Sequence, residues 1–224
     1  MKKIALLILA FILCNCKNDK SENSQILDKY SVDKKATELY DNAIQAMNLE
    51  NNEKALELLE NAIKIDEKFT SAYFLSIGLY SQKGMFKKAQ SNCQKLIDLH
   101  PTNLSYLSQN GIIHQLLGEN MEAEKNYLKA RKILSENENF YWKKYDSLGF
   151  AFMLIEIGDS IRGRKLIDFI IERKSKNGIP ETELRNYQRT TRGEILNLIR
   201  QSIDTIKPKL RKGGEIENII EDRN

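Results

Sequence analysis

No long stretch of this chain alternates apolar and polar residues as a half-buried strand would. Its apolar and small anchor positions instead return at a fixed interval. Ala89 is matched by Ala55 and Ala123, each 34 residues away. In the same register Tyr73 is matched by Leu39 and Leu107, and Leu96 by Ala62 and Ala130. An interval of this size marks stacked helical hairpins, because one hairpin cannot bury its apolar face alone and needs its neighbours. The pattern predicts three hairpins, over 36–69, 70–103 and 104–137. Gly84 and Gly118 fall at the turns, where glycine accepts the left-handed conformation that ends a helix. The first copy has Glu50-Asn51-Asn52 there, and Asn is the next best residue for that conformation. Pro101 pushes His100 away from α geometry and so predicts a helix end.

The unit resembles the tetratricopeptide repeat. A bulky residue opens the first helix (Leu39, Tyr73, Leu107), and a small one follows at Ala43 and Gly111. Another small residue, Ala55, Ala89 or Ala123, then lets the second helix approach closely. Ile77 departs from the pattern, which suggests a local shift that gives the small site to Gly78. The resemblance implies an all-α, right-handed α-α superhelix of helix–turn–helix repeats, closed by a C-terminal capping helix. It also implies that first helices line a concave groove where a protein or peptide partner lies. Carried onto this chain, the groove-facing offsets are Tyr40, Ile44 and Met47, then Phe74, Gly78 and Gln82, then Ser108, Ile112 and Gln115. A degenerate fourth repeat, 142–177, adds Lys143, Phe150 and Met153. Family members that clamp a terminal carboxylate carry Lys and Asn at these offsets. Only Lys143 fits that pattern, so this activity is disfavoured.

Past the third copy the register slips. Gly158-Asp159 reads as the fourth turn, and Gly163, Ile167 and Ile170 as contacts of its second helix. Asn177-Gly178-Ile179-Pro180 reads as a break. A long amphipathic helix is expected over 181–206, with a kink allowed at Gly193 and a stop at Pro208, followed by a flexible tail over 207–224. Its single apolar face suits capping of the last repeat, and equally suits filling the groove.

The N-terminus adds a location. Lys2 and Lys3 precede an apolar run, Ile4–Cys14, that is too short to span a bilayer and reads as a secretory signal over 1–15. Leu13-Cys14-Asn15-Cys16 resembles the bacterial lipobox, which implies that Cys16 is lipidated and anchors the chain to a membrane; Asn15 departs from the preferred small residue. Residues 16–30 are then a polar tether, and the first helix is expected near Ser31. Cys93 is left alone, so no internal disulfide is expected, and its register with Leu59 and Tyr127 places it in the core. The implied location is the cell envelope, with Lys17 after the Cys favouring the outer membrane over the inner.

Charge and chemistry narrow the function. Without residues 1–15 the chain has 33 basic and 31 acidic residues, too balanced for a nucleic-acid partner. The two histidines, His100 and His114, lack companions at metal-ligand spacing, and no phosphate loop, dinucleotide motif or nucleophile elbow occurs. His100 is expected to place its charge at a helix C-terminus, and His114 to pack or contact the groove. Neither an enzyme nor a cofactor is expected. The expected role is a membrane-anchored interaction scaffold in the envelope, with surface ligand capture for nutrient uptake as the alternative. Trp142, the sole Trp, argues against a sugar site.

Overall fold

The computed structural model describes residues 32–137, 148–174, 185 and 189–210. Among these, every regular element is an α-helix. Four helical hairpins follow one another: α1 (Lys34–Asn48) with α2 (Asn52–Ile65), α3 (Thr70–Gln82) with α4 (Phe86–Leu99), α5 (Leu104–Leu116) with α6 (Asn120–Glu136), and α7 (Leu148–Glu156) with α8 (Ser160–Lys174). A ninth helix, α9 (Arg192–Leu210), comes last. Each hairpin packs on itself, and α2 on α3 and α4 on α5 join successive pairs. The architecture is an all-α superhelix of helical repeats.

Local chemistry sets the helix ends. Asp33 caps α1, its carboxylate accepting from the N–H groups of Lys35 (2.8 Å) and Ala36 (3.1 Å). The expected cap, Ser31, lies outside the described residues. The turns place Gly84, Gly118 and Gly158 at φ of 75°, 81° and 91°. In the first hairpin Glu50, not an Asn, takes that conformation, with φ 57°. The 34-residue register fixes which position must turn, and Asn51 is used instead as the N-cap of α2, accepting from Lys54 N–H at 3.1 Å. At the end of α4, His100 accommodates Pro101 in a non-helical conformation. Its Nε2 lies 3.0 Å from Thr70 Oγ1, and burial pushes its pKa down, so it sits as a neutral partner of Thr70 rather than as a charge on the helix dipole.

Ala55, Ala89 and Ala123 are fully buried. Gly163, also buried, stands at the equivalent place in the fourth hairpin, and a Cβ there would come within 2.7 Å of the Ala151 carbonyl. Across each hairpin the two facing positions trade volume: Ala43 with Leu59, Ile77 with Cys93, Gly111 with Tyr127, Ala151 with Ile167, all buried. A Cβ on Gly111 would clash with the edge of the Tyr127 ring. Ile77 therefore needs no local shift, because the small residue of its pair is Cys93 on the other helix. The Cys93 thiol donates to the Tyr106 carbonyl at 3.4 Å, and burial pushes its pKa far up, as suits a packing residue.

Candidate functional site

The first helices α3, α5 and α7 present one face of the stack, and α9 lies across it. The run Thr191-Arg192-Gly193-Glu194 makes a capping box that starts α9. Thr191 Oγ1 accepts from Glu194 N–H at 3.2 Å, and the Glu194 carboxylate accepts from Thr191 N–H at 2.7 Å. Residues 189–191 are not helical, so the expected continuous helix over 181–206 is interrupted there. The helix then runs past Pro208, the expected stop, to Leu210, although proline there has no N–H to give the carbonyl four residues back.

Contacts of α9 reach α7 of the last hairpin and α3 two hairpins earlier. Between them, Arg200 donates through Nη2 to the Gln115 carbonyl of α5 at 3.2 Å. Ile195 and Ile199 are buried in one cluster with Ile112, Phe150 and Met153. The helix thus covers the fourth hairpin and occupies the groove at once, which a single apolar face permits.

Polar contacts fix its N-terminal end. The Arg192 guanidinium stacks 4.0 Å from the Tyr127 ring centroid and pairs with Glu124 at 3.1 Å. Glu124 also holds Arg131 at 2.9 Å, and Arg131 donates to the Ile157 carbonyl at the fourth turn. Burial pushes the Glu124 carboxyl up, but the two guanidiniums outweigh it and hold its pKa below the usual value. Glu156, on α7, is buried and accepts from the Ser108 hydroxyl at 3.1 Å. Burial pushes its pKa up to about 8, although Ser108 and the Arg192 charge pull it down. The Tyr127 hydroxyl donates to Gln115 Oε1 at 2.9 Å.

The expected groove residues divide into two sets. Tyr40 is half-buried with its ring centroid 5.0 Å from that of Phe69, and Phe74 is half-buried near Tyr106. Ile44 is exposed, while Met47, Gln82 and Gln115 are half-buried. Ser108, Ile112, Phe150 and Met153 are buried. Gly78 is buried too. Lys143, Trp142 and Cys16, with the whole signal and tether, lie outside the described residues. Sequence reasoning missed Glu124, Glu156, Arg192 and Arg200. The Thr-x-x-Glu signature at 191–194 was the signal for where α9 begins, and a lone Glu156 ending an apolar run was the signal for a buried carboxyl.

No family model matches the chain, and no curated protein matches its sequence. It resembles solved structures of low sequence identity. These include YrrB, a TPR protein with an unusual peptide-binding site, at 16% identity, covering 86% of this chain and 98% of that one, with a TM-score of 0.42. MamA protein is similar at 13% identity over 82% and 98%, with a TM-score of 0.42. A tetratricopeptide repeat protein from Parabacteroides merdae is similar at 18% identity over 86% and 71%, with a TM-score of 0.47. Likeness at this level bears on neither ligand nor role, and the repeat architecture rests on the helix pairs themselves.

Proposed function

We propose that this protein is a membrane-tethered scaffold of the bacterial cell envelope that holds a segment of a partner protein in its concave groove. The observation that carries the reading is α9 itself. An amphipathic helix already lies across the first helices with Ile195 and Ile199 buried, so this surface has the shape and chemistry to take one. The N-terminal part of the same surface, around Tyr40, Ile44 and Phe74, keeps apolar side chains partly open to solvent. Anchoring rests on the lipobox-like residues before Cys16 and the polar tether after it.

A photocrosslinking residue at Phe74 should give one defined protein adduct in the native envelope, and the same residue at Lys129, on a second helix, should not. Aspartate at both Tyr40 and Ile44 should remove that adduct with helicity retained. An adduct common to both sites, or one indifferent to the aspartates, refutes the groove. Anchoring has its own readout: Cys16→Ser should abolish labelling by a radioactive fatty acid and release the chain from the membrane pellet. A variant that stays in the pellet with its signal removed refutes lipidation.

A further inference from the structure

The second helix of each hairpin turns one face outwards, opposite to the side packed on the first helix. On α6 that face holds Met121, Lys125, Leu128, Lys129 and Lys132, all exposed, while Ala123, Tyr127, Ala130 and Leu134 are buried on the opposite side. Met121 is 82% exposed and Leu128 54%. They stand two turns apart on one side of the helix, about 10 Å along its axis.

The repeat supplies its own control. In register with these five positions, α2 carries Glu53, Glu57, Glu60, Asn61 and Lys64, and α4 carries Lys87, Ser91, Gln94, Lys95 and Asp98. Stacking of the hairpins therefore does not require apolar residues there, and the first two repeats have none. In α8, which starts at Ser160 as α6 starts at Asn120, Ile161 and Lys165 stand where Met121 and Lys125 do. Both are exposed, Ile161 at 70%. The Arg131 guanidinium of α6, donating to the Ile157 carbonyl, brings the start of α8 beside α6, so the two stretches adjoin.

Charge follows the same division. Together α6 and α8 carry nine basic and five acidic residues, whereas α2 carries two and three. Lys125 pairs with Glu122 at 2.6 Å and Lys132 with Glu136 at 4.0 Å. Both pairs are exposed, contribute little, and leave the lysines able to turn to another anion. Asp168 and Glu172 share the outer face of α8, so α6 is the stronger half. Long apolar side chains interleaved with lysines on an open helix face suit a fluid interface. The apolar ends enter the acyl boundary, and the lysine stems lie along them with the ammonium groups at the phosphates.

We propose that the outer face of α6, extended by Ile161 and Lys165 of α8, docks on an anionic lipid surface. Met121, Leu128 and Ile161 enter the interface, and Lys125, Lys129 and Lys132 meet the headgroup phosphates. The first helices lie behind this face, so docking holds the groove off the membrane. It does not depend on lipidation of Cys16, which decides only whether the chain is already tethered beside a membrane.

The test uses the full chain with Cys14→Ser and Cys16→Ser, which leaves only the buried Cys93, and adds one labelling site, Leu128→Cys, carrying an environment-sensitive fluorophore. With vesicles of phosphatidylcholine and phosphatidylglycerol at about three to one, its emission should shift to the blue and be quenched by lipids brominated on the acyl chains. Phosphatidylcholine alone, or the mixture in high salt, should give no shift. The apolar run 4–14 can attach the chain to either vesicle, so a second site is needed to separate that attachment from docking. The same fluorophore at Glu57→Cys, on the outer face of α2, should respond to neither vesicle. Lys125→Glu, Lys129→Glu and Lys132→Glu together, all exposed, should abolish the shift at the α6 site with helicity retained. Equal shifts at the two sites overturn the proposal, as does no shift, one indifferent to phosphatidylglycerol, or one that survives the three glutamates. A shift that needs no vesicles and grows with protein concentration assigns the face to a second copy of the chain and overturns it as well.

Discussion

Ile44 and Ile112 are the same residue at the same register position, two repeats apart, yet one is 36% exposed and the other 5%. Tyr40, Phe74 and Ser108 repeat the contrast in reverse of their polarity, the hydroxyl being buried while the aromatics are half-open. The repeat does not create this difference. The interior position of α5 contributes, and so does α9, whose contacts fall on α3, α5 and α7. The comparison teaches that exposure on the concave face is set by what lies on it as much as by the hairpins beneath.

The sharpest way to break the comparison is to make one substitution in both halves. Ile112→Ala should cost about 2–5 kcal/mol in denaturant unfolding, whereas Ile44→Ala should stay within about 0.5 kcal/mol, as surface changes do. Equal costs would show that the two ends are alike. Next in size, Gly111→Ala should cost about 1–3 kcal/mol, because the new methyl must displace the Tyr127 ring and with it the face on which Arg192 stacks. Thermal unfolding read by circular dichroism checks this.

The filled half should also respond to pH. The folded Glu156 carboxyl holds its proton up to about 8 against an ordinary value of 4.5, so between these values the folded state binds more protons than the unfolded one. Stability should therefore fall as pH rises through that window. Glu156→Gln, which keeps a neutral side chain against Ser108, should flatten the fall and raise Tm more at pH 8.5 than at pH 5. A wild-type Tm that rises across the window sinks the idea. The smallest effect belongs to the open half: Glu50→Gly relieves a left-handed residue and should stabilise by about 0.5–1 kcal/mol, measured by the same unfolding experiment.

The repeat was legible because its constraints are local and chemical. Only a small residue fits where Ala55, Ala89 and Ala123 bring two helices together, and only a residue tolerant of positive φ turns the hairpin without strain. The paired volumes were less legible, since Ile77 looks anomalous until Cys93 is seen to yield the space. The place of α9 was not legible at all. Its apolar face suits an end cap and a groove filler alike, and a chain carries no local mark of which distant surface a helix will meet. The pairing of Arg192 with Glu124 spans 68 residues and belongs to no repeat. The polar network of the candidate site was hidden for the same reason.

The crossing of α9 also has a consequence for the order of events as the chain is made. Contacts between successive hairpins join residues close in sequence and can form as each hairpin is completed. Arg192, by contrast, comes 110 residues after the end of α3, so the tie from α9 back to α3 closes a long loop and must form last. On a chain emerging from N- to C-terminus, the surface that α9 covers on α3, α5 and α7 is made before α9 itself. A segment docking at Ile112 or Phe150 in that interval would meet no competition from α9, whereas one arriving afterwards would first have to displace it; docking around Tyr40 and Ile44, which α9 leaves open, would not depend on the order.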